Sequence, residues 1–365
     1  MTFRSIALCF CIAVTAFAER FDVVVIGATP GGIAASVAAA RQGHSVALAE
    51  YRTHVGGMSA SGLGKSDITK ADAIGGLWDE FVGRVRDYYK KTYGETSDQF
   101  LKCKNGYFYE PSVAERIFSE MLGEQKSIKL FLGYRMMETF REYRTLTGVK
   151  LINRSNAEII DLRGTVLIDA TYEGDLAALA GAEYRVGRES RAEFGEANAG
   201  IIYMDHKTRA LLPGTTGEGD NRLVAYTYRL CLTTNPENRI LPDKPDNYSR
   251  ETYLNYFLDL KLGRIDSMVK ALSIAEIPNQ KYDANMKPWP LGFPFAEMNQ
   301  GYAEADWELR EIQEKRLRDT TLGLLYFLQN DPEVPEADRA LARTYGLPKD
   351  EFTDTGNFPW CLYVR

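Results

Sequence analysis

Residues 21–26 form a short apolar run, Phe21-Asp22-Val23-Val24-Val25-Ile26, that stops at Gly27. A run this short, β-branched and bounded by glycine reads as a strand buried on both faces, as in a parallel sheet. Next stand Gly27-Ala28-Thr29-Pro30-Gly31-Gly32, then an alanine-rich stretch over residues 33–41 closed by Gly43. High helix propensity followed by glycine predicts a helix there. Residues 45–49 predict a second strand that ends on Glu50. Strand, glycine turn, helix, strand and acid within about 30 residues are the fingerprint of a dinucleotide-binding βαβ unit.

The pattern then changes period. Ala71, Ile74, Leu77, Trp78, Phe81, Val82 and Val85, with charges between them, predict an amphipathic helix over residues 70–93. A further helix is expected over 113–122, with Pro111 near its start. Residues 128–168 read as a β-meander, with strands over 128–132, 135–141, 147–153, 158–161 and 166–168 and polar or glycine turns between them. Asp169-Ala170-Thr171-Tyr172-Glu173-Gly174-Asp175-Leu176 then predicts a turn leading into residues 176–179. Asp169 or Asp175 could bond to a nucleotide there or cap the helix. A long helix is expected over 303–329.

Each position of the first glycine turn has a physical task. Gly27 makes the tight turn, Gly32 lets helix and strand approach, and the helix N-terminus offers free N–H groups to pyrophosphate. Thr29 stands where the usual pattern has its middle glycine. Its Cβ is expected to push the phosphates away, or its hydroxyl to bond to them. Glu50, 18 residues after Gly32, can accept hydrogen bonds from both ribose hydroxyls, which argues against a 2′-phosphate and hence against NADP. Tyr51-Arg52-Thr53-His54-Val55-Gly56-Gly57-Met58-Ser59-Ala60-Ser61-Gly62-Leu63-Gly64 is a second glycine-rich run. A simple nicotinamide dehydrogenase has no use for it, whereas an extended FAD needs close backbone approach along its pyrophosphate and ribityl chain. The alternative is a surface loop.

Composition narrows the field. A length of 365 residues fits two domains, or one large domain with an insertion. A net charge of −6 with no basic run disfavours nucleic acid as a partner, because phosphate neutralisation needs clustered Lys and Arg. Arg4, the apolar residues 6–17 and the small-x-small site Ala16-Phe17-Ala18 predict a signal peptide over residues 1–18, cleaved after Ala18. The expected location is therefore secreted or periplasmic, and with no later apolar run of 18 residues a stable membrane span is not expected. Cys103, Cys231 and Cys361 remain in the mature chain, enough for one bridge but not for a disulfide framework. Three histidines without HExxH or CxxC give no expected metal site.

Taken together, Val23 to Ile33, Gly56 to Asp67, Phe108-Tyr109-Glu110-Pro111-Ser112-Val113-Ala114-Glu115 and Ile168 to Leu176 resemble the segments VVVxGxTPxGI, GGMxxxGLGxxD, fEPxxAE and IDATYEGDL of a family of exported FAD-dependent oxidoreductases. Gly187-Arg188-Glu189-Ser190, Ala225-Tyr226-Thr227-Tyr228-Arg229-Leu230 and Gly356-Asn357-Phe358-Pro359 extend the resemblance over the mature chain. Thr29 agrees with the family pattern. The resemblance implies FAD binding, a redox reaction, and a chain that continues past Arg365.

The expected architecture is α/β. A Rossmann-like FAD/NAD(P)-binding domain with a parallel sheet and inserted β-meander covers residues 19–184, with a helical insertion at about 65–105. An α+β substrate or cap domain follows over 185–345, and 346–365 begins a C-terminal segment read as incomplete. That segment is apolar and strand-like with no visible partner, so the chain is expected to bind FAD poorly in this form.

The residues expected at FAD are Gly27, Thr29, Pro30, Gly31, Gly32, Glu50, Tyr51, Arg52, Gly56, Gly57, Met58, Gly62, Gly64, Met136, Ala170, Thr171 and Asp175. The catalytic group is not readable, and the candidates are Asp67, Tyr172, Glu173 and Arg229. Tyr226, Tyr228, Lys281, Asp283 and Asn285 are expected around a substrate pocket. The partners implied are a small organic substrate (an alcohol, amine or sugar-like donor) and an unidentified electron acceptor. Two rival readings are a non-catalytic FAD-binding recognition protein and a flavin monooxygenase.

Overall fold

A computed structural model describes residues 17–205, 208–287 and 295–364, so most of the expected signal peptide lies outside the described residues. The chain divides into two units. One holds the N-terminal segment to His54 together with Leu122–Ala182, and the other holds Val55–Met121 together with Glu183–Arg365. The stretch expected as an insertion in the nucleotide domain thus packs with the second unit.

The first unit is built on a six-stranded sheet in the order β3-β2-β1-β6-β5-β4. Its strands are β1 Phe17–Ile26, β2 Val46–Glu50, β3 Ile128–Leu132, β4 Tyr134–Glu142, β5 Thr145–Asn153 and β6 Ile159–Asp169. β3, β2, β1 and β6 run parallel, while β5 and β4 pair antiparallel. Two expectations change here. Residues 128–132 join the parallel sheet beside β2 rather than the meander. The two short strands expected over 158–161 and 166–168 are one strand, because Gly164 is paired with Phe21 in mid-strand and does not turn the chain. A Cβ at Gly164 would sit 2.8 Å from the Val24 side chain, which accounts for a glycine inside a strand.

Helix α1, Pro30–Arg41, lies between β1 and β2 and buries Ile33, Ser36, Val37 and Ala40, the i, i+3, i+4, i+7 stripe of a sheet-facing helix. The alternating residues Val24, Ile26, Ala47 and Ala49 join Phe131, Met136, Val149, Leu151, Ile160, Leu162 and Leu176 in a separate core. Both faces of β1 and β2 are therefore apolar, as a parallel sheet requires.

The second unit carries β7 Arg229–Thr233, the short β8 Arg239–Ile240, β9 Leu272–Ile277, β10 Lys281–Met286 and the short β11 Leu347–Pro348. β7, β10 and β9 form an antiparallel sheet in that order. Leu230, Leu232, Ala284 and Met286 enter a core with Leu317, Leu324, Leu325, Phe327 and Leu328 of the helix Trp307–Asn330. Residues alternate across a strand, so Arg229, Cys231 and Thr233, with Lys281 and Asp283, hold the other face. Phe81 on the helix Leu77–Tyr93 stacks on Phe118 of the helix Pro111–Gly123 with centroids 4.2 Å apart. The expected helix start near residue 70 is later because Gly75 and Gly76 precede Leu77, Gly76 with φ at +67°.

The end of the chain is not without a partner. Phe358, Cys361 and Leu362 are buried, the Tyr363 N–H donates to the Thr227 carbonyl at 2.8 Å, and the Cys361 N–H donates to Ser61 Oγ at 2.8 Å. Cys103, Cys231 and Cys361 are all free and buried. Among the described residues no helix is long and apolar enough to cross a membrane.

Candidate functional site

The first glycine turn is made where β1 ends. Gly27 takes φ +101°, and a Cβ on it would lie 2.5 Å from the Ala170 carbonyl oxygen. A Cβ on Gly32 would lie 1.9 Å from the Gly27 carbonyl oxygen. Both glycines are therefore demanded by the protein's own backbone. Gly31 differs, since a Cβ there would meet only Thr29 Oγ1 at 3.7 Å. Its open side is a cradle that any side chain would begin to fill.

Thr29 caps α1 by accepting the Gly32 N–H at 3.2 Å, and its hydroxyl donates to the Ala170 carbonyl at 2.9 Å. Its hydroxyl proton is thereby committed to the protein. Pro30 at the first helical position has no N–H to satisfy. Among the described residues, the N–H groups of Thr29 and Gly31 keep no protein acceptor, and they face the positive end of the α1 dipole.

Glu50 closes the turn. Its two oxygens accept the Ala28 N–H at 2.7 Å and the Arg52 N–H at 3.0 Å. Burial holds its carboxyl above the usual range, and those backbone bonds offset only part of the rise. Each oxygen keeps a lone pair for a ribose hydroxyl. Beside it, the Arg154 guanidinium lies 4.0 Å from the centre of the Tyr51 ring, and that of Arg52 lies 5.7 Å away. Nothing in the sequence marks Arg154, which reaches Tyr51 through the meander.

Beyond β6 the expected roles are redistributed. Asp169 accepts the Thr171 N–H and hydroxyl through one oxygen and the Ala177 N–H through the other. Thr171 Oγ1 accepts the N–H groups of Gly174 and Asp175. Asp175 is the first residue of the helix Asp175–Leu179 and not its cap, a position held by Gly174. Tyr172 is exposed beside them. Met136 is buried in the core of this unit, so its side chain is a packing element there.

From Val55 on, the second glycine run, Gly56, Gly57 and Met58 included, belongs to the other unit and is shaped by protein neighbours. A Cβ on Gly62 would meet the Arg229 carbonyl oxygen at 1.9 Å, on Gly64 the Tyr109 carbonyl oxygen at 2.7 Å, and on Gly56 the Phe118 ring at 2.7 Å. Met58 is buried. This loop sets two catalytic candidates side by side: Arg229 bonds to Asp67 at 3.3 Å and to Asp283 at 2.8 Å. Asp67 is half-exposed and Asp283 fully enclosed. Burial pushes the Asp283 carboxyl up to about 6 against the pull of Arg229. Among the described residues Arg229 Nε has no acceptor, although the side chain is buried.

Lys281, also on this face, bonds to Glu110 at 2.8 Å, Glu351 at 2.6 Å and Asp350 at 2.9 Å. Burial alone would lower its value, but the Glu351 and Glu110 carboxylates outweigh it and hold the ammonium well above the usual range. Tyr226 and Tyr228, expected in a pocket, are core residues packed edge-on against Tyr302 and Phe358. Asn285 lies opposite Arg229 in the sheet, and its side-chain oxygen has no partner among the described residues.

Among solved structures, similar chains include the L-proline dehydrogenase from P. horikoshii, 16% identical over 48% of this chain and 24% of that one, with a TM-score of 0.27. A geranylgeranyl bacteriochlorophyll reductase-like protein from Thermoplasma acidophilum is 17% identical over 46% of this chain and 43% of that one, at 0.32. The glycerol-3-phosphate dehydrogenase from Bacillus halodurans, complexed with FAD, is 9% identical over 56% and 50%, at 0.33. The chain thus spans no more than half the length of these proteins. No curated protein gives a significant match. The profile of the family described as FAD dependent oxidoreductase matches residues 22–365, essentially the whole described chain, and the chain belongs to that family.

Proposed function

We propose that this protein binds FAD at the Gly27–Gly32 turn and oxidises a small organic donor, an alcohol, amine or sugar-like carbon, whose electrons pass on to a separate acceptor. The observation that carries the reading is the glycine turn itself. Gly27 and Gly32 are fixed by backbone contact, while Gly31 is left open beside two free N–H groups. That arrangement suits a pyrophosphate. Glu50 would receive the ribose hydroxyls on the lone pairs left by its backbone bonds, and the Tyr51–Arg154 pair flanks it.

Bound FAD supplies a two-electron hydride acceptor. The chain's own residues supply the rest. Asp67, Tyr172, Glu173 and Arg229 are the candidates for the group that takes the proton lost by the donor's hydroxyl or amine as its carbon is oxidised. Arg229 pairs with Asp67 and fixes its orientation, and Asp283 holds Arg229 from behind. Export through the N-terminal segment is part of the proposal, resting on Arg4, the apolar residues 6–17 and the Ala16-Phe17-Ala18 site. N-terminal sequencing of the mature protein should begin at Glu19, and a chain that retains residues 1–18 would refute it.

The flavin reading is tested by anaerobic titration of the FAD-loaded protein with alcohols, sugars and amines, following flavin absorbance. Bleaching by one of these donors without NAD(P)H is the expected result. Bleaching by NADPH alone would favour a monooxygenase, and no bleaching by any donor would favour a binding protein.

A further inference from the structure

Within the second unit a cavity of about 450 Å³ opens beside the Lys281 cluster. Its volume lies in the range of small-molecule sites. Its wall is unusual for such a site, because Val113 is the only aliphatic side chain among its lining residues. We propose that it binds a neutral polyhydroxylated ligand, a sugar or polyol. The proposal concerns binding and does not rest on the flavin chemistry.

The wall chemistry selects this class by elimination. An apolar ligand would find almost nothing to cover. An anionic ligand would face Asp98, Glu110 and Asp350. These carboxylates are already matched, Asp98 by Lys102 at 2.6 Å, Glu110 and Asp350 by Lys281. Paired in this way, their oxygens can accept from O–H donors without calling for a further cation. Between them stand the amides of Gln99, Asn235, Asn238 and Gln280. An amide presents a donor and an acceptor together, which is what a pair of adjacent hydroxyls presents in return. Tyr88 and Tyr93 add aromatic rings that the C–H face of a sugar can cover.

The β9–β10 hairpin supports the same reading through its backbone. Asn279 and Gln280, at its tip, take φ of +61° and +56°, in the left-handed region that side chains rarely adopt. Asn279 is held there because its amide donates to Tyr93 Oη at 2.9 Å and to Glu110 Oε2 at 2.7 Å. That tie places Gln280 in the cavity wall in a conformation that glycine would adopt with less strain. Strain of this kind accumulates where a side chain has a task.

The test uses saturation-transfer NMR and titration on the full chain with glucose, xylose, cellobiose and myo-inositol, and with glucuronate and hexylamine as charged counterparts. At least one neutral probe should bind, with glucuronate at least tenfold weaker. Gln99→Trp, which fills the cavity, should abolish binding. Gln280→Gly relieves the left-handed strain, so it should fold at least as well as wild type yet bind at least fivefold more weakly. No binding by any neutral probe, equal binding of glucuronate, preference for hexylamine, or unchanged affinity in both variants would each overturn the proposal. FAD content measured on the same samples separates this result from the flavin reading, since a preparation that keeps FAD and binds no sugar refutes only the cavity.

Discussion

The glycine turn of the first unit and the charged face of the β7-β10-β9 sheet both bury polar groups, and they do so by different means. At the turn the partners are backbone groups. Glu50 accepts the Ala28 and Arg52 N–H groups, and Thr29 bridges the Gly32 N–H and the Ala170 carbonyl. Under the sheet the partners are charges: Lys281 with Glu110, Glu351 and Asp350, and Arg229 with Asp283 and Asp67. A backbone group stays where the fold puts it, so losing one side chain at the turn costs about two neutral or singly charged hydrogen bonds. A buried charge left alone costs far more. The turn should therefore be more tolerant of side-chain loss than of added volume at Gly27 and Gly32, and the charged face least tolerant of the loss of a charge.

The largest effect is expected at Lys281. Lys281→Met leaves Glu110 and Glu351 buried without their cation and should destabilise the protein by about 3–5 kcal/mol, read as a fall in the urea midpoint. A loss below about 1 kcal/mol would mean that the cluster behaves as a surface network.

Volume is the converse case. Gly32→Ala drives a methyl onto the Gly27 carbonyl and should cost at least the upper end of the about 1–3 kcal/mol typical of overpacking. Gly31→Ala, facing open space, should leave the melting temperature unchanged while weakening FAD about tenfold. Equal stability losses in the two variants would remove the distinction drawn between these glycines.

The pH response sharpens the comparison further. Asp283 has its folded value pushed up to about 6 from an ordinary 3.8. A group raised in this way contributes stability that is full below the unfolded value and lost as pH rises through the folded one. Between about pH 3.5 and 7, wild type should lose about 3 kcal/mol relative to Asp283→Asn, at about 1.4 kcal/mol per unit. Parallel stability–pH curves for the two proteins would contradict this.

These two regions also mark what a single sequence discloses. The βαβ unit was legible because its residues act on near neighbours: α1 starts at Pro30, β2 ends at Glu50, and Gly27 and Gly32 meet within one turn. The charged face was not, since Glu110 meets Lys281 across 171 residues and Arg229 meets Asp67 across 162. No periodicity connects such positions, and a tyrosine-rich segment such as 226–228 looks alike in a pocket or a core. Gly164 misled for a related reason, because a glycine inside a strand and a glycine between two strands leave the same local pattern.

Smaller effects belong to the turn. Glu50→Ala removes the acceptor for ribose hydroxyls, at roughly 1.5–3 kcal/mol, so FAD affinity should fall about tenfold to a hundredfold. An unchanged dissociation constant with the fold intact would assign Glu50 to the Ala28 and Arg52 bonds alone. Thr29→Val removes the cap of α1 and the tie to Ala170 and should cost about 1 kcal/mol in thermal unfolding, with a larger loss pointing to a direct part in cofactor binding.

The central claim is that the Gly27–Gly32 turn holds FAD. Purified full-length protein, equilibrated with equimolar FAD and NAD and freed of unbound nucleotide by gel filtration, can be extracted with acid and the released nucleotide identified. FAD should be recovered from wild type, with much less from Gly31→Ala; recovery of NAD without flavin, or of equal FAD from both proteins, would contradict it.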